Sequence, residues 1–362
     1  MGLRDMAGAG VVAEDNDELV WSEVLARLVA REDLAADAVA RVMSTILAGD
    51  ATDAQIAGFA IALRAKGETS EELAALARTM VAFAERVDVG DVQPLVDTCG
   101  TGGDRSGSVN VSTMAAVIAA GAGAKVAKHG NRAASSRCGS ADVLEELGVV
   151  IDLGPEGVAR CIRQAGIGFC FAPRFHPALR FAAGPRRELG VPTTFNFLGP
   201  LANPAGVTRQ AVGVSDPAMA ERMMSALSVL GVEHALVFHG HDGLDELTTT
   251  TSSTVHELRD GSVRTYEVDP AALGLAPAAP TDLVGGDAVT NAAVVRSVLA
   301  GEEGPARDIA ALNAAAALVV ADLAADLSEG LTLAVAAIDD GRAAAALESF
   351  VHASAAARED GN

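Results

Sequence analysis

The stretch Asp97-Thr98-Cys99-Gly100-Thr101-Gly102-Gly103-Asp104 joins a short extended run, Gln93 to Thr98, to a helical pattern from Ser112 to Ala122. Three glycines at a strand end let the backbone approach an anion, because no Cβ atom is in the way. The free N–H groups and the dipole of the following helix point at the same loop. A tight turn with an ordinary N-cap is the alternative interpretation. Further polar groups at the helix start favour a phosphate site: Asn110, Ser112 and Thr113.

The segments beyond this loop repeat the alternation of strand and helix. Helical patterns lie between several of the extended runs, and this order predicts a largely parallel sheet covered by helices. The further candidate strands are Lys125 to Lys128, Val149 to Leu153, Gly168 to Phe171, Gln210 to Val214, His234 to His239 and Thr254 to Glu257. We therefore predict an α/β fold whose large domain has a mainly parallel central sheet flanked by helices.

The N-terminal part of the chain has a different pattern, without a strand signal. Thr52 with Gln55 and Thr69 with Glu72 have the spacing of helix N-termini. We predict a small all-helical domain over residues 18–88, joined by the Pro-, Arg- and Gly-rich segment of about 177–199. Residues 89–176 and 200–355 then form the α/β domain. Residues 1–17 are expected to be a disordered tail, and residues 356–362 a second tail.

The charge balance limits the kinds of partner. The chain has 48 Asp and Glu against 27 Lys and Arg, a net charge of −21. A chain this acidic repels phosphate backbones and anionic lipids, so we expect neither nucleic acid nor a membrane as a partner. The four cysteines lack zinc-site spacing, and the N-terminus has no signal-peptide pattern. We expect reduced thiols and a cytoplasmic protein.

Two more motifs follow candidate strands. Lys128-His129-Gly130-Asn131-Arg132 concentrates cations in an acidic chain and suits a polar, anionic substrate, although a solvated basic loop has the same composition. Asp242-Gly243-Leu244-Asp245-Glu246 places carboxylates at a strand end, where hard oxygen ligands suit Mg²⁺. An acidic surface turn is the alternative for this second motif.

A fourth group of residues lies between Phe171 and Pro204, and it includes the segment of about 177–199 that interrupts the alternation. It contains Arg186 and Arg187, and an arginine can hold a planar carboxylate through two parallel hydrogen bonds. Pro173, His176 and their neighbours could form a wall for a flat ring. Turn-setting prolines and water-facing arginines are the alternative interpretation.

Taken together and in order, these motifs resemble the anthranilate phosphoribosyltransferase family, over about Val20 to Phe350. The motifs are GTGGD, NxST, KHGNR with SSxxGSAD, FAPxFHP, RRELG, FNxLGPLxNP and DGLDE. The resemblance implies transfer of a phosphoribosyl group from 5-phosphoribosyl 1-diphosphate to the amine of anthranilate, in tryptophan biosynthesis. It also implies Mg²⁺, substrates bound between the two domains, and a homodimer formed through the helical domain.

The resemblance also implies roles for individual residues. It places the phosphoribosyl diphosphate site at Gly100, Thr101, Gly103, Asp104, Asn110, Ser112, Thr113, Lys128 and Ser140. It places anthranilate contacts at Gly100, His129, Asn131, Pro173, His176 and Arg186. It makes Ser112, Asp245 and Glu246 magnesium ligands, and it names no general base. The chain departs from the family pattern at Ala133-Ala134, Arg137-Cys138, Leu179-Arg180 and Pro192.

Two other functions remain open from the sequence. Pyrimidine nucleoside phosphorylases resemble this architecture and also break a bond at ribose C1, but the KHGNR and DGLDE motifs fit them poorly. A nucleic-acid-binding, non-catalytic relative would need a basic groove, which the net charge of −21 disfavours.

Overall fold

The computed structural model describes residues 19–133 and 137–361. Its N-terminal part consists of helices α1 (Trp21–Val29), α2 (Ala36–Ala48), α3 (Asp53–Lys66) and α4 (Ser70–Ala82). Capping boxes at Thr52 and Thr69 start α3 and α4, as the spacing predicts. In each box the threonine hydroxyl and the side chain three residues later satisfy each other's backbone N–H groups, which have no partner inside the helix.

Seven strands form one sheet in the order β3-β2-β1-β4-β5-β6-β7. The strands are β1 (Leu95–Gly100), β2 (Lys125–Gly130), β3 (Ile167–Phe171), β4 (Arg209–Gly213), β5 (His234–Gly240), β6 (Ser253–Arg259) and β7 (Ser262–Val268). The five strands from β3 to β5 are parallel, and β6 and β7 are added antiparallel. The predicted fold class, a helical part with a mainly parallel, helix-flanked sheet, is confirmed.

One predicted strand is not a strand, and one strand of the sheet was not predicted. Val149 to Leu153 alternates between buried and exposed residues but is not a strand. Its Val150 N–H donates to Ser354 Oγ at 3.0 Å instead of to a neighbouring strand. Strand β7 was missed because it lies at the sheet edge, where its residues are mostly exposed and carry no alternating apolar signal.

Helices cover both faces of the sheet. They are α5 (Val111–Gly121), α6 (Ser140–Glu146), α7 (Pro155–Ala165), α8 (Ala172–Phe175), α9 (Arg180–Leu189), α10 (Pro217–Leu230), α11 (Ala288–Leu299), α12 (Pro305–Val320), α13 (Leu327–Asp339) and α14 (Arg342–Glu359). Helix α12 is buried on nearly all sides, between α5, α13 and the sheet. Its Ala, Val and Leu residues run around the whole helix, which is the composition of a core helix.

The buried apolar residues form two clusters. The larger lies around α5, α12 and the strands from β3 to β1, and the smaller joins α1 to α4 with α10 and one face of β4 and β5. Helix α9, in the predicted 177–199 segment, packs on α2 and α3. The domain limits themselves stay predictions, except that α14 continues to Glu359, into the region predicted as a tail. Among the described residues, no helix is long and apolar enough to cross a bilayer.

Candidate functional site

A cavity of about 370 Å³ opens at the carboxyl ends of β1, β2 and β5. Parallel strands end at one edge of a sheet, so the loops that follow them meet there. These predicted site residues line the cavity: Gly100, Thr101, Gly103, Asp104, Asn110, Ser112, Lys128, His129, Asn131, Ser140, Arg186, Asp245 and Glu246. The fold thus brings together residues that lie as far apart in sequence as Gly100 and Glu246.

Three predicted site residues do not line this cavity: Thr113, Pro173 and His176. Thr113 is buried on the inner face of α5, where its hydroxyl has no hydrogen-bond partner among the described residues. Pro173 is exposed at the start of α8. His176 is buried beside His129, with the two ring centroids 5.1 Å apart. In this structure the cavity-lining residues are better placed than these three to contact a ligand directly.

Two glycines that end strands make room for Asp245. A Cβ atom on Gly100 would lie 2.2 Å from Asp245 Oδ2, and one on Gly213 would lie 1.6 Å from the Asp245 carbonyl oxygen. The Gly102 N–H donates to Asp245 Oδ2 at 2.7 Å. The sequence analysis missed Gly213. Its only sequence signal is a glycine at the end of the candidate strand Gln210 to Val214.

The glycine loop curves tightly at its tip. Gly102 and Gly103 have φ of 69° and 85°, in the left-handed region that glycine adopts without strain. The Thr101 N–H donates to the Gly213 carbonyl at 2.9 Å, which ties the loop to β4. A loop of this kind, followed by the N-terminus of an eleven-residue helix, offers N–H groups to an anion.

Asn110 belongs to a network that the sequence analysis missed. Although it precedes α5, its side chain does not cap that helix. Its Nδ2 donates to the Cys138 carbonyl at 3.2 Å, and its Oδ1 accepts from Asn291 Nδ2 at 2.8 Å. Asn291 in turn accepts from the Gly286 N–H at 2.7 Å. The loop before α6 and helix α11 therefore hold the Asn110 amide in one orientation at the cavity.

The cavity floor brings two buried carboxyl groups next to one buried amino group. Asp245 and Glu246 are buried, and so is Lys128, whose Nζ donates to the Thr98 carbonyl at 2.7 Å and to Ser112 Oγ at 3.2 Å. The pKa of Asp245 is raised to about 7, mainly by burial and secondly by the charge of Asp104. The pKa of Glu246 is raised well above its usual range, mainly by burial and secondly by the charge of Asp245.

This imbalance fits a divalent cation. Two buried carboxylates next to one ammonium are stabilised when another cation binds, and carboxylate and hydroxyl oxygens are the ligands that Mg²⁺ prefers. Within the described ranges, no group of three or more His, Cys, Asp or Glu is arranged to hold a metal. A cation bound here would therefore need oxygens of a substrate as well as those of the protein.

A buried aspartate supports the basic loop after β2. Asp97 accepts from the His129 N–H at 3.1 Å and from Asn203 Nδ2 at 2.8 Å. His129 Nδ1 lies 2.9 Å from the Gly199 carbonyl, so Nδ1 carries the proton, and burial lowers the pKa of His129. Its Nε2 is then a free acceptor, since it has no partner among the described residues. Asp97 and Asn203 were also missed by the sequence analysis.

The cations of the cavity differ in their partners. Arg132 pairs with Asp142 and Glu145, both at 2.9 Å. Arg186 stacks on Phe195, with its guanidinium carbon 5.7 Å from the ring centroid. Burial alone lowers the pKa of Arg186, and no described carboxylate pairs with it. Arg186 is thus a partly buried, unpaired cation, which is suited to a ligand carboxylate.

One of the quoted motifs lies partly outside the described residues. The serines of the SSxxGSAD motif, Ser135 and Ser136, and the departure at Ala134 fall there. At the departure of Arg137-Cys138, the Cys138 backbone still contacts Asn110.

Comparison with known proteins places this geometry in a family. Residues 92–344 match the family described as "Glycosyl transferase family, a/b domain", and residues 22–84 match its helical bundle domain. An anthranilate phosphoribosyltransferase of Roseiflexus castenholzii is 57% identical over 90% of this chain and 96% of its own length.

Solved structures agree. Anthranilate phosphoribosyltransferase from Thermus thermophilus is 43% identical, with a TM-score of 0.86 over 91% of this chain and 99% of its own. The Saccharomyces cerevisiae enzyme in complex with PRPP and Mg is 26% identical, with a TM-score of 0.85 over 93% of this chain and 98% of its own. With this identity over nearly the whole length of its relatives, the chain belongs to the anthranilate phosphoribosyltransferase family.

Proposed function

We propose that this protein transfers the phosphoribosyl group of 5-phosphoribosyl 1-diphosphate to the amine of anthranilate, releasing diphosphate, in tryptophan biosynthesis. The observation that carries the proposal is the charge arrangement of the cavity. Buried Asp245 and Glu246 lie beside a glycine loop at one part of its lining, and the unpaired Arg186 lies in another. A diphosphate with its metal and an aromatic carboxylate need these two different environments.

The glycine loop and the start of α5 would bind phosphoribosyl diphosphate. The N–H groups and fixed dipoles there stabilise the negative charge that develops on diphosphate as the bond at ribose C1 breaks. The residues that we assign to this site are Gly100, Thr101, Gly103, Asp104, Asn110, Ser112, Lys128 and Ser140, with Thr113 supporting the helix start from the core.

Asp245, Glu246 and Ser112 would hold Mg²⁺ together with substrate oxygens. When bound, the metal neutralises charge on the leaving diphosphate. Lys128 donates to Ser112 Oγ and keeps this hydroxyl in place. The Gly102 N–H fixes one Asp245 oxygen, so the carboxylate is already oriented before a ligand binds.

Arg186 would orient anthranilate through its carboxylate, with Asn131, Gly100 and His129 near the ring and amine. Pro173 and His176 would lie along the entry route. An arylamine is neutral at pH 7 and attacks without prior loss of a proton, so we assign no general base. Catalysis would then come from positioning two substrates and stabilising the leaving group.

Anthranilate fluorescence tests the proposal directly. We expect the fluorescence to decrease when protein, phosphoribosyl diphosphate and Mg²⁺ are all present, and to stay constant when any one of them is left out. Well-folded protein that leaves the fluorescence unchanged in the complete mixture would refute the substrate assignment. The Asp245→Asn/Glu246→Gln variant should lose the magnesium-dependent activity; normal magnesium dependence in that variant would refute the ligand assignment.

The two rival functions have separate tests. Phosphorolysis of thymidine or uridine by the same protein would support a nucleoside phosphorylase, and a salt-sensitive gel shift with random DNA would support a nucleic-acid-binding relative. The family relationship and the buried carboxylate pair favour the transferase.

A homodimer through the helical part belongs to the same proposal. Apolar side chains are exposed on α1 and α3, including Val29 at 77% and Ile61 at 38%. Light scattering after gel filtration should give about twice the chain mass of 36.6 kDa, and Ile61→Glu should lower that value. Val263→Glu, on the edge strand β7, is the matched control, because Val263 is also exposed but lies on another surface. A monomeric wild-type protein would contradict the dimer.

We also propose that the protein acts in the cytoplasm. Three of its cysteines, Cys99, Cys161 and Cys170, are buried free thiols, which suits a reducing compartment. Fractionation of cells that express the protein should recover it with cytoplasmic markers; recovery with the membrane or the exported fraction would contradict the assignment.

A further inference from the structure

A single buried side chain anchors the segment that carries Asp245 and Glu246. Asn313 lies in the middle of α12 and is 1% exposed. Its Oδ1 accepts from the Leu247 N–H at 3.0 Å, and its Nδ2 donates to the Leu247 carbonyl at 2.9 Å. Nδ2 also donates to the Ile309 carbonyl at 2.9 Å. One amide therefore satisfies both backbone groups of the residue that follows Glu246.

No other residue type fits this arrangement as well. The Asn313 amide offers one acceptor and two donors, and the structure uses all three. Leu247 is fully buried, so its backbone groups would have no water to replace a lost partner. An asparagine in the interior of an Ala, Val and Leu helix is otherwise costly, because burying a polar group without partners is unfavourable.

The anchor is connected to a rigid part of the molecule. Helix α12 contacts α5, whose first turn contains Ser112, and it contacts β1, which ends in the glycine loop. The carboxylate segment is therefore held on the same support as the phosphate loop. Asp245 Oδ2 also accepts from the Gly102 N–H of the glycine loop at 2.7 Å. Asp242 accepts from the Leu244 N–H at 3.2 Å and from Thr248 Oγ1 at 2.7 Å. Those bonds shape the turn itself but do not connect it to a helix.

We propose that Asn313 is a positioning residue. It holds the Asp245 and Glu246 carboxylates in the position, relative to the phosphate loop, that binding of a metal-bound diphosphate requires. The proposal rests on the proposed function. It extends that function because it assigns a role to a residue that does not line the cavity. Partners that orient metal ligands typically contribute about 10- to 100-fold in metal affinity or activity. As Asn313 acts through the backbone of the neighbouring residue, we expect an effect at the lower end, about tenfold.

The test is the binding of inorganic diphosphate, measured by isothermal titration with Mg²⁺ and with a chelator. In wild-type protein Mg²⁺ should strengthen diphosphate binding. Asn313→Leu keeps the number of side-chain heavy atoms and removes all three hydrogen bonds, so it should weaken binding with Mg²⁺ about tenfold. Binding without metal and the KM for anthranilate should change by less than about twofold. This pattern separates positioning of the carboxylates from a general loss of stability.

The matched control is Ser354→Ala. Ser354 is also fully buried on a helix and accepts from a backbone N–H, that of Val150, but neither residue lines the cavity. This variant should be less stable to heat and should keep the wild-type difference between diphosphate binding with and without Mg²⁺.

A second variant covers the case in which Asn313→Leu does not fold. Asn313→Asp keeps the shape and the acceptor for the Leu247 N–H but cannot donate to two carbonyls. It should show the same selective loss. A folded variant of either kind that binds diphosphate with Mg²⁺ as wild type does would overturn the inference. Wild-type protein with no effect of Mg²⁺ would instead contradict the proposed metal site and, with it, the inference.

Discussion

Replacing Gly213 with alanine should abolish most of the activity without unfolding the protein. The added Cβ would lie 1.6 Å from the carbonyl oxygen of Asp245. An ordinary carbon–oxygen contact is about 3.3 Å, so the Asp245 backbone would have to move by about 1.7 Å. A displacement of about 1 Å in a catalytic group can cost about 100-fold in rate. We therefore expect kcat/KM to fall at least about 100-fold, which corresponds to about 2.7 kcal/mol of transition-state stabilisation.

The assay is the anthranilate fluorescence decrease at saturating Mg²⁺, with circular dichroism to confirm that the variant is folded. Gly184→Ala, within helix α9, is the matched control: apart from its chain neighbours and the backbone of its own helix, no described atom lies within 4 Å of the added Cβ. That variant should keep wild-type kcat/KM. If folded Gly213→Ala retained kcat/KM within about threefold of wild type, the loss of transition-state stabilisation would be less than about 0.7 kcal/mol. The proposed role of Gly213 in making room for Asp245 would then be wrong.

Three further changes test other parts of the molecule. Arg186→Gln should raise the KM for anthranilate about 10- to 100-fold, the equivalent of one charged hydrogen bond, and leave the KM for phosphoribosyl diphosphate unchanged; equal effects on both would contradict its role. Burial, and to a smaller extent the charge of His129, lowers the pKa of His176 to about 3. Below pH 6.5 the unfolded chain therefore binds a proton at His176 that the folded protein does not bind, and the free energy of unfolding falls as the pH decreases. His176→Leu should reduce the loss of Tm between pH 7 and pH 4.5. The same loss of Tm in the variant and in the wild-type protein would contradict this prediction. Glu72 is buried and accepts from Lys66 and from the Leu34 N–H; Glu72→Ala should lower the free energy of unfolding in urea by about 3 kcal/mol, and a change below about 1 kcal/mol would show that the pair contributes little.

The local features of the site could be predicted from the sequence because each is carried by neighbouring residues. The glycine loop and the Asp245-Glu246 pair each follow a strand within a few positions, and the capping boxes of α3 and α4 span three residues. Strand β7 and the false strand at Val149 to Leu153 show the limit of this approach. Alternating apolar residues report burial on one side, and they do not report whether the backbone pairs with a strand.

The residues that orient the site could not be predicted in this way. Asn291 reaches Asn110 across 181 positions, and Asn313 reaches Leu247 across 66. In the sequence each is a lone asparagine in a helical pattern. Their function depends on which backbone or side-chain groups the fold places opposite them, and this is decided by the packing of α11 and α12.

The sequence by itself determined most of the order of strands and helices, the chemical groups available to the site and, through the order of its motifs, the family. These follow from backbone preferences and hydrogen bonding between near neighbours, which act before any tertiary contact forms. Only the tertiary structure decided that Asp245 and Glu246 share a buried floor with a single ammonium, that Gly213 leaves room for them, and that Arg186 has no described carboxylate partner. The strength of an electrostatic interaction and the space around a side chain both depend on burial, and burial is a property of the folded chain.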